Sequence, residues 1–246
     1  MANLHIKICH LFFFLILSIG LVGAEKNKSL ANLEVTKELL LEINSYRLKK
    51  PIYRTKSQAK DLLENVIERI QPHAESFCRE LSEASSPCKW ELEVVSGNQF
   101  NAYASGENKI SFYTGLVRGI HYEEELAFVV AHEMGHHIGN HINKSRSSTI
   151  LGALIGAAIA IESDNPAAAS DAANIGAYIG RFSFSRKQEI EADSISKVIL
   201  INSGYDMEKA RGGLIRLTRT GLSKASSSFG DSHPSGPERL LIFDNL

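Results

Sequence analysis

Residues 131–141 read AHEMGHHIGNH, and no other stretch restricts the chain as much. Within it His132, Glu133 and His136 stand in the spacing H-E-x-x-H. Residues four apart share one face of an α-helix, so His132 and His136 aim two imidazoles at one point. Two neutral imidazoles and a third protein ligand make an open zinc site with water in its fourth position. Glu133, next to the first ligand, is placed to take a proton from that water, the arrangement of a hydrolytic zinc centre. The preceding run, residues 124–131, is apolar and helix-forming with acids in its first turn. The pair therefore sits inside a buried helix, where histidines lacking partners are costly.

Where the third ligand lies takes more work. In the extended motif H-E-x-x-H-x-x-G-x-x-H a third histidine follows at a fixed offset. Gly139 stands where that motif wants it, but position 142 is Ile142 and His141 falls one residue short. On a continuing helix His141 points away from the His132/His136 face. His137 and His141 are accordingly expected at the surface. The ligand is sought downstream, in SRKQEIEAD at residues 185–193. Ser185 and Gln188 match a capping box, so a helix should begin there, and Gly204 should end it. Glu189 and Asp193 share one face of that helix; Glu191 lies about half a turn round. Glu189 is the expected ligand, and Asp193 is expected to accept an N–H from a ligating imidazole and fix its orientation. Glu191 is expected to meet solvent or a basic neighbour.

Composition narrows the rest. The chain has 246 residues, 43% of them hydrophobic, which is enough for one core and one domain. Its formal charge is −1 and no basic stripe is present, so no nucleic-acid partner is expected. At the N-terminus Lys7 precedes an apolar run, residues 11–17, that leads to Leu21-Val22-Gly23-Ala24. A short apolar core closing on small residues predicts a cleaved secretory signal over 1–24, with a single domain over 25–246. The rival is an uncleaved anchor, for which the apolar stretch is short. No cysteine follows the cleavage point, which argues against a lipoprotein. Cys9 leaves with the signal, and Cys78 and Cys88 remain to pair in an oxidising compartment.

Taken in order, Ser29 is a candidate cap for a helix carrying Leu30, Leu33, Leu40 and Ile43, broken at Lys49-Lys50-Pro51. A second helix starts near Ser57, with Leu62, Leu63, Val66, Ile67 and Ile70 on its buried side. From Trp90 the period changes to two: residues 91–95, 99–104 and 109–113 read as strands, the last two joined by a turn over 105–108. They predict a small antiparallel sheet beside the metal helix. Asn101, Ala102, Tyr103 and Ala104 are nominated as an edge strand that holds substrate in extended form; an internal strand with Asn101 in a turn is the alternative. The Ala/Gly-rich stretches 150–161 and 166–180 read as a buried helix pair, or as a lid or membrane-surface contact.

The set HEMGHHIGNH, then EIEAD some fifty residues on, then His233-Pro234-Ser235 and Pro237-Glu238-Arg239, resembles peptidase family M forty-eight. That is the gluzincin group containing HtpX and the CAAX prenyl endopeptidases. The strand Asn101-Ala102-Tyr103-Ala104 is similar to the family's N-A-F-A. The resemblance implies an α+β, mainly helical, zincin-like fold, one zinc ion, and endopeptidase activity on protein or peptide substrates. It maps His132, His136 and Glu189 onto the zinc ligands and Glu133 onto the base. It also places His233 and Arg239 near the active site. His233 then donates to the oxyanion or plugs the open metal position; Arg239 supports the site or is a plain surface arginine. The four membrane spans of HtpX are absent, so the likeness is to soluble periplasmic quality-control members, with the membrane surface or outer-membrane assembly machinery as further partners. An envelope chaperone that keeps its zinc only for folding is the competing class.

Overall fold

The structure, a computed structural model, describes residues 36–81, 88–144, 184–222, 233 and 236–245. The expectations for the leader at 1–24, for Ser29, Leu30 and Leu33, and for the stretches 150–161 and 166–180 lie outside the described residues. Helices α1 (Lys37–Ser45), α2 (Lys56–Leu81), α3 (Thr114–Gly119), α4 (Glu123–Ile138), α5 (Arg186–Asn202), α6 (Met207–Leu222) and α7 (Pro237–Asn245) accompany strands β1 (Glu91–Val95), β2 (Ala102–Ala104) and β3 (Lys109–Tyr113). Among the described residues, no helix is long and apolar enough to cross a membrane.

Local chemistry sets the helix starts. Thr36 Oγ1 accepts the Leu39 N–H at 3.1 Å and opens α1, which buries Leu39 and Ile43 and leaves Leu40 exposed. Gln58 N–H donates to Thr55 Oγ1 at 3.2 Å and Thr55 N–H to Gln58 Oε1 at 2.9 Å, a reciprocal cap that starts α2. Ala59, Leu63, Val66, Ile70, Ala74 and Cys78 form the buried stripe of α2, with Leu62 and Ile67 half-buried beside it. At its end Cys78 is joined to Cys88, with Cα atoms 5.6 Å apart. The Ser185/Gln188 capping box begins α5, and Gly204, at φ +69°, follows its end.

Helix α4 is the centre of the molecule. From Glu125 to Ile138 every residue but His137 is buried, and α2, α5 and α6 pack around it. At Gly135 a Cβ would lie 2.9 Å from the Ala192 carbonyl oxygen and 3.1 Å from its Cα. The α4 and α5 backbones therefore touch there, with Glu189 and Asp193 on either side of the contact.

The sheet order is β1-β3-β2. Strand β2 runs antiparallel to β3, Ala102 opposite Phe112, but β1 runs parallel to β3, Glu91 opposite Lys109. The sheet is therefore mixed, which corrects the antiparallel expectation. The cause is the link over 96–101, part of which reads as strand. The Gly97 N–H donates to Thr114 Oγ1 at 3.1 Å, and the Thr114 hydroxyl and Gly115 N–H both donate to the Gly97 carbonyl at 2.8 Å. This pins the chain past the end of β3, so β2 enters on the far side. Side-chain alternation is the same for either strand direction and carries no sign of it. Strand β2 is left at the sheet edge, packed on α4. Asn101 precedes it, its Oδ1 accepting the Ala102 N–H at 2.9 Å.

The Gly135 contact generates a prediction. Its neighbour is backbone and cannot swing aside, so Gly135→Ala should lower stability by about 1–3 kcal/mol in urea unfolding. An unchanged midpoint would show that the helices do not meet there.

Candidate metal centre

His132, Glu133 and His136 from α4, Glu189 from α5, and His233 ahead of α7 are fully buried together. His132 Nε2 lies 3.0 Å from His136 Nε2, 3.3 Å from His233 Nδ1 and 3.4 Å from Glu189 Oε2. Glu189 Oε1 is 3.4 Å from His136 Nε2 and 3.1 Å from His233 Nδ1. One donor atom from each of His132, His136, Glu189 and His233 falls within a 4.8 Å cluster. Glu133 is not among these donors; its Oε1 lies 3.3 Å from His233 Nε2.

The outer contacts orient these groups. Asp193 Oδ1 lies 2.9 Å from His132 Nδ1, so the Nδ1 proton is held there and Nε2 faces the cluster. Arg239 donates twice to Asp193, at 2.7 Å each, and its Nη1 is 2.8 Å from Glu189 Oε2. Arg239 is thus buried and gripped, not a surface residue. The Phe184 ring stacks on His136, centroids 3.7 Å apart and planes at 20°. Sequence reasoning passed it over; an apolar residue directly before a capping box was the available signal.

His141 also departs from expectation. It is fully buried, because α4 ends at Ile138 and Asn140 turns left-handed at φ +55°. The helical step no longer applies to it. Its Nδ1 lies 2.9 Å from His136 Nδ1, and Glu191, expected to face solvent or a base, lies 3.3 Å from its Nε2. His137 is half-buried rather than exposed, and its Nε2–H donates to the Ser105 carbonyl at 2.8 Å.

The electrostatics are those of a crowded, dry site. Burial disfavours the His132 imidazolium, but Asp193 and Glu189 outweigh it and raise the group to about 9. Burial takes His136 the other way, well below the ordinary imidazole value. Glu189 resists burial through the charges of His233 and Arg239, which hold it well below the usual carboxylate range. Asp193 is lowered likewise, with Arg239 the chief cause against burial. Burial raises Glu133.

These residues fit zinc. Bonds of about 2.0–2.1 Å in a tetrahedral shell separate the donors by roughly 3.3–3.4 Å; five contacts among these residues lie at 3.0 to 3.4 Å, and one donor atom from each falls within 4.8 Å of the others. Imidazole nitrogen with carboxylate oxygen is the donor set that zinc takes.

The sequence pattern of Peptidase family M48 matches residues 63–244. The chain belongs to that family. Mitochondrial metalloendopeptidase OMA1 of Arabidopsis thaliana is 31% identical over 154 residues, covering 62% of this chain and 30% of that relative. The chain thus matches under a third of that relative's length. The family's zinc falls to the donors described above, in a mainly helical zincin-like fold.

The raised His132 value sets a pH dependence. In the metal-free protein its protonated form stabilises the fold fully below the ordinary 6.5, and that contribution is lost as pH rises through about 9. Zinc requires the neutral ring and must displace this proton. Apparent zinc affinity should therefore rise by about tenfold per pH unit across this interval, read by chelator competition. A flat profile would mean that His132 is neutral before metal enters.

Proposed function

We propose that the chain is a zinc-dependent endopeptidase of the cell envelope that cleaves misfolded or unassembled proteins, with Glu133 as general base. The observation that carries this is the separation of roles in one buried site. Four groups, His132, His136, Glu189 and His233, bring one donor atom each together while an adjacent carboxylate, Glu133, stays outside the donor set. A zinc that served the fold alone would have no use for that carboxylate. The metalloendopeptidase named among the relatives supports the same reading.

When bound, zinc supplies Lewis acidity, lowering the pKa of a coordinated water towards about 7 and polarising a carbonyl. Glu133 takes the proton of the attacking water and delivers it to the leaving amine. Its burial-raised carboxyl brings its basicity nearer to neutral pH, which suits both transfers. Asp193 holds the His132 tautomer, and Arg239 holds Asp193 and Glu189 in place. The outer edge of β2, with Asn101, Ala102, Tyr103 and Ala104, receives the substrate backbone as an added strand.

His233 acts in this reading as a removable plug. It lies between the ligands and Glu133, 3.3 Å from His132 Nε2 by one nitrogen and 3.3 Å from Glu133 Oε1 by the other. Water and a substrate carbonyl need that place. The leader over 1–24 directs a domain over 25–246 to the periplasm, and the Cys78–Cys88 link suits an oxidising compartment.

Glu133→Gln should keep fold and zinc while slowing cleavage of unfolded casein by about 10²–10⁴-fold; undiminished turnover would remove the base assignment. Cleavage should also stop with chelator and return with zinc, whereas protection of clients without cleavage would identify a chaperone. His233→Ala should raise zinc-dependent cleavage several-fold over the unaltered chain. A fall in rate would assign His233 to the reaction instead of to blocking it.

A further inference from the structure

We propose that His141 and Glu191 form a positioning relay that fixes the tautomer and direction of His136. This rests on His136 being a zinc ligand. The two ligating histidines are served differently on their outer nitrogens. His132 meets a carboxylate, Asp193. His136 meets another imidazole, His141, with the two Nδ1 atoms 2.9 Å apart.

Proton counting decides what that contact means. Two ring nitrogens at this distance hold one proton between them. His136 turns Nε2 towards the donor cluster, so as a neutral ligand it carries its proton on Nδ1 and donates it to His141 Nδ1. His141 must then carry its own proton on Nε2. That nitrogen faces Glu191 Oε2 at 3.3 Å. One carboxylate on α5 thereby fixes two tautomers in series, ending with the lone pair of His136 aimed at the metal.

The backbone is shaped for the relay. A Cβ on Gly139 would lie 2.4 Å from His141 Nε2 and 2.7 Å from its Cε1. Only glycine leaves room for the ring in this position. Phe184 stacks on the His136 face and blocks its rotation.

The test is zinc affinity by chelator competition, with imidazole tautomers read by long-range proton–nitrogen NMR. His141→Leu should weaken zinc about 10–100-fold, and His141→Asn, which restores an acceptor near the lost Nδ1, should recover part of that. Glu191→Gln, at a partly exposed position, should weaken zinc by a smaller factor and keep the fold. In the zinc-loaded unaltered protein His136 should be protonated on Nδ1 and His141 on Nε2. The opposite tautomer of His141, or zinc affinity within twofold in both folded His141→Leu and Glu191→Gln, would overturn the relay. Should His141→Leu not fold, the tautomers and Glu191→Gln decide. Failure of the unaltered protein to bind zinc would overturn the metal reading, and the relay with it.

Discussion

Everything at the centre depends on two helices approaching until their backbones touch. A side chain at Gly135 would collide with Ala192, so α5 lies close enough for Glu189 and Asp193 to reach the imidazoles of α4 across the crossing. Small residues at a helix contact exchange side-chain burial for proximity. Here that proximity places carboxylates beside His132 and His136 at 2.9 to 3.4 Å in the dry interior.

Burying so many ionisable groups is costly unless their charges balance. Among the described residues, Glu133, Glu189 and Asp193 share one buried guanidinium, that of Arg239. With neutral histidines that leaves an excess of two negative charges, which a divalent cation neutralises. Without a cation two groups compensate through protons: His132 holds its proton up to about 9 and Glu133 is raised, although His136, Glu189 and Asp193 are shifted downward. Of the groups that fit zinc, His132 is therefore the one that takes a proton in its absence, while His136 is held neutral and Glu189 ionised. Zinc binding and proton release are two descriptions of one charge constraint.

How far this was legible in the chain varied with the distance over which each signal acts. His132, Glu133 and His136 lie within one helical turn, and the four-residue repeat alone brings the two rings together. Glu189 and Asp193 were found because they too share a turn and follow a capping box. Arg239 and His233 came only through resemblance to a family, since nothing local distinguishes a site arginine from a surface one. His141 was misplaced because the helical step was carried through Gly139 and Asn140, where the chain turns left-handed. Glu191 meets both solvent and a basic neighbour, as its place on the helix implies, but that the neighbour is His141 is not legible along the chain.

The sequence by itself determined the helices α1, α2, α4 and α5 and the approximate place of the three strands, where several of them start, and which residue types could hold a metal. Those properties follow from periodicity and capping, which act over a few residues. Only the tertiary structure decided that β1 runs parallel to β3, that Arg239 grips Asp193 and Glu189, and that His141 folds back under His136. Each depends on where a distant segment arrives in space. That is set by helix packing and by hydrogen bonds such as those between Gly97 and Thr114, neither of which leaves a repeating mark along the chain.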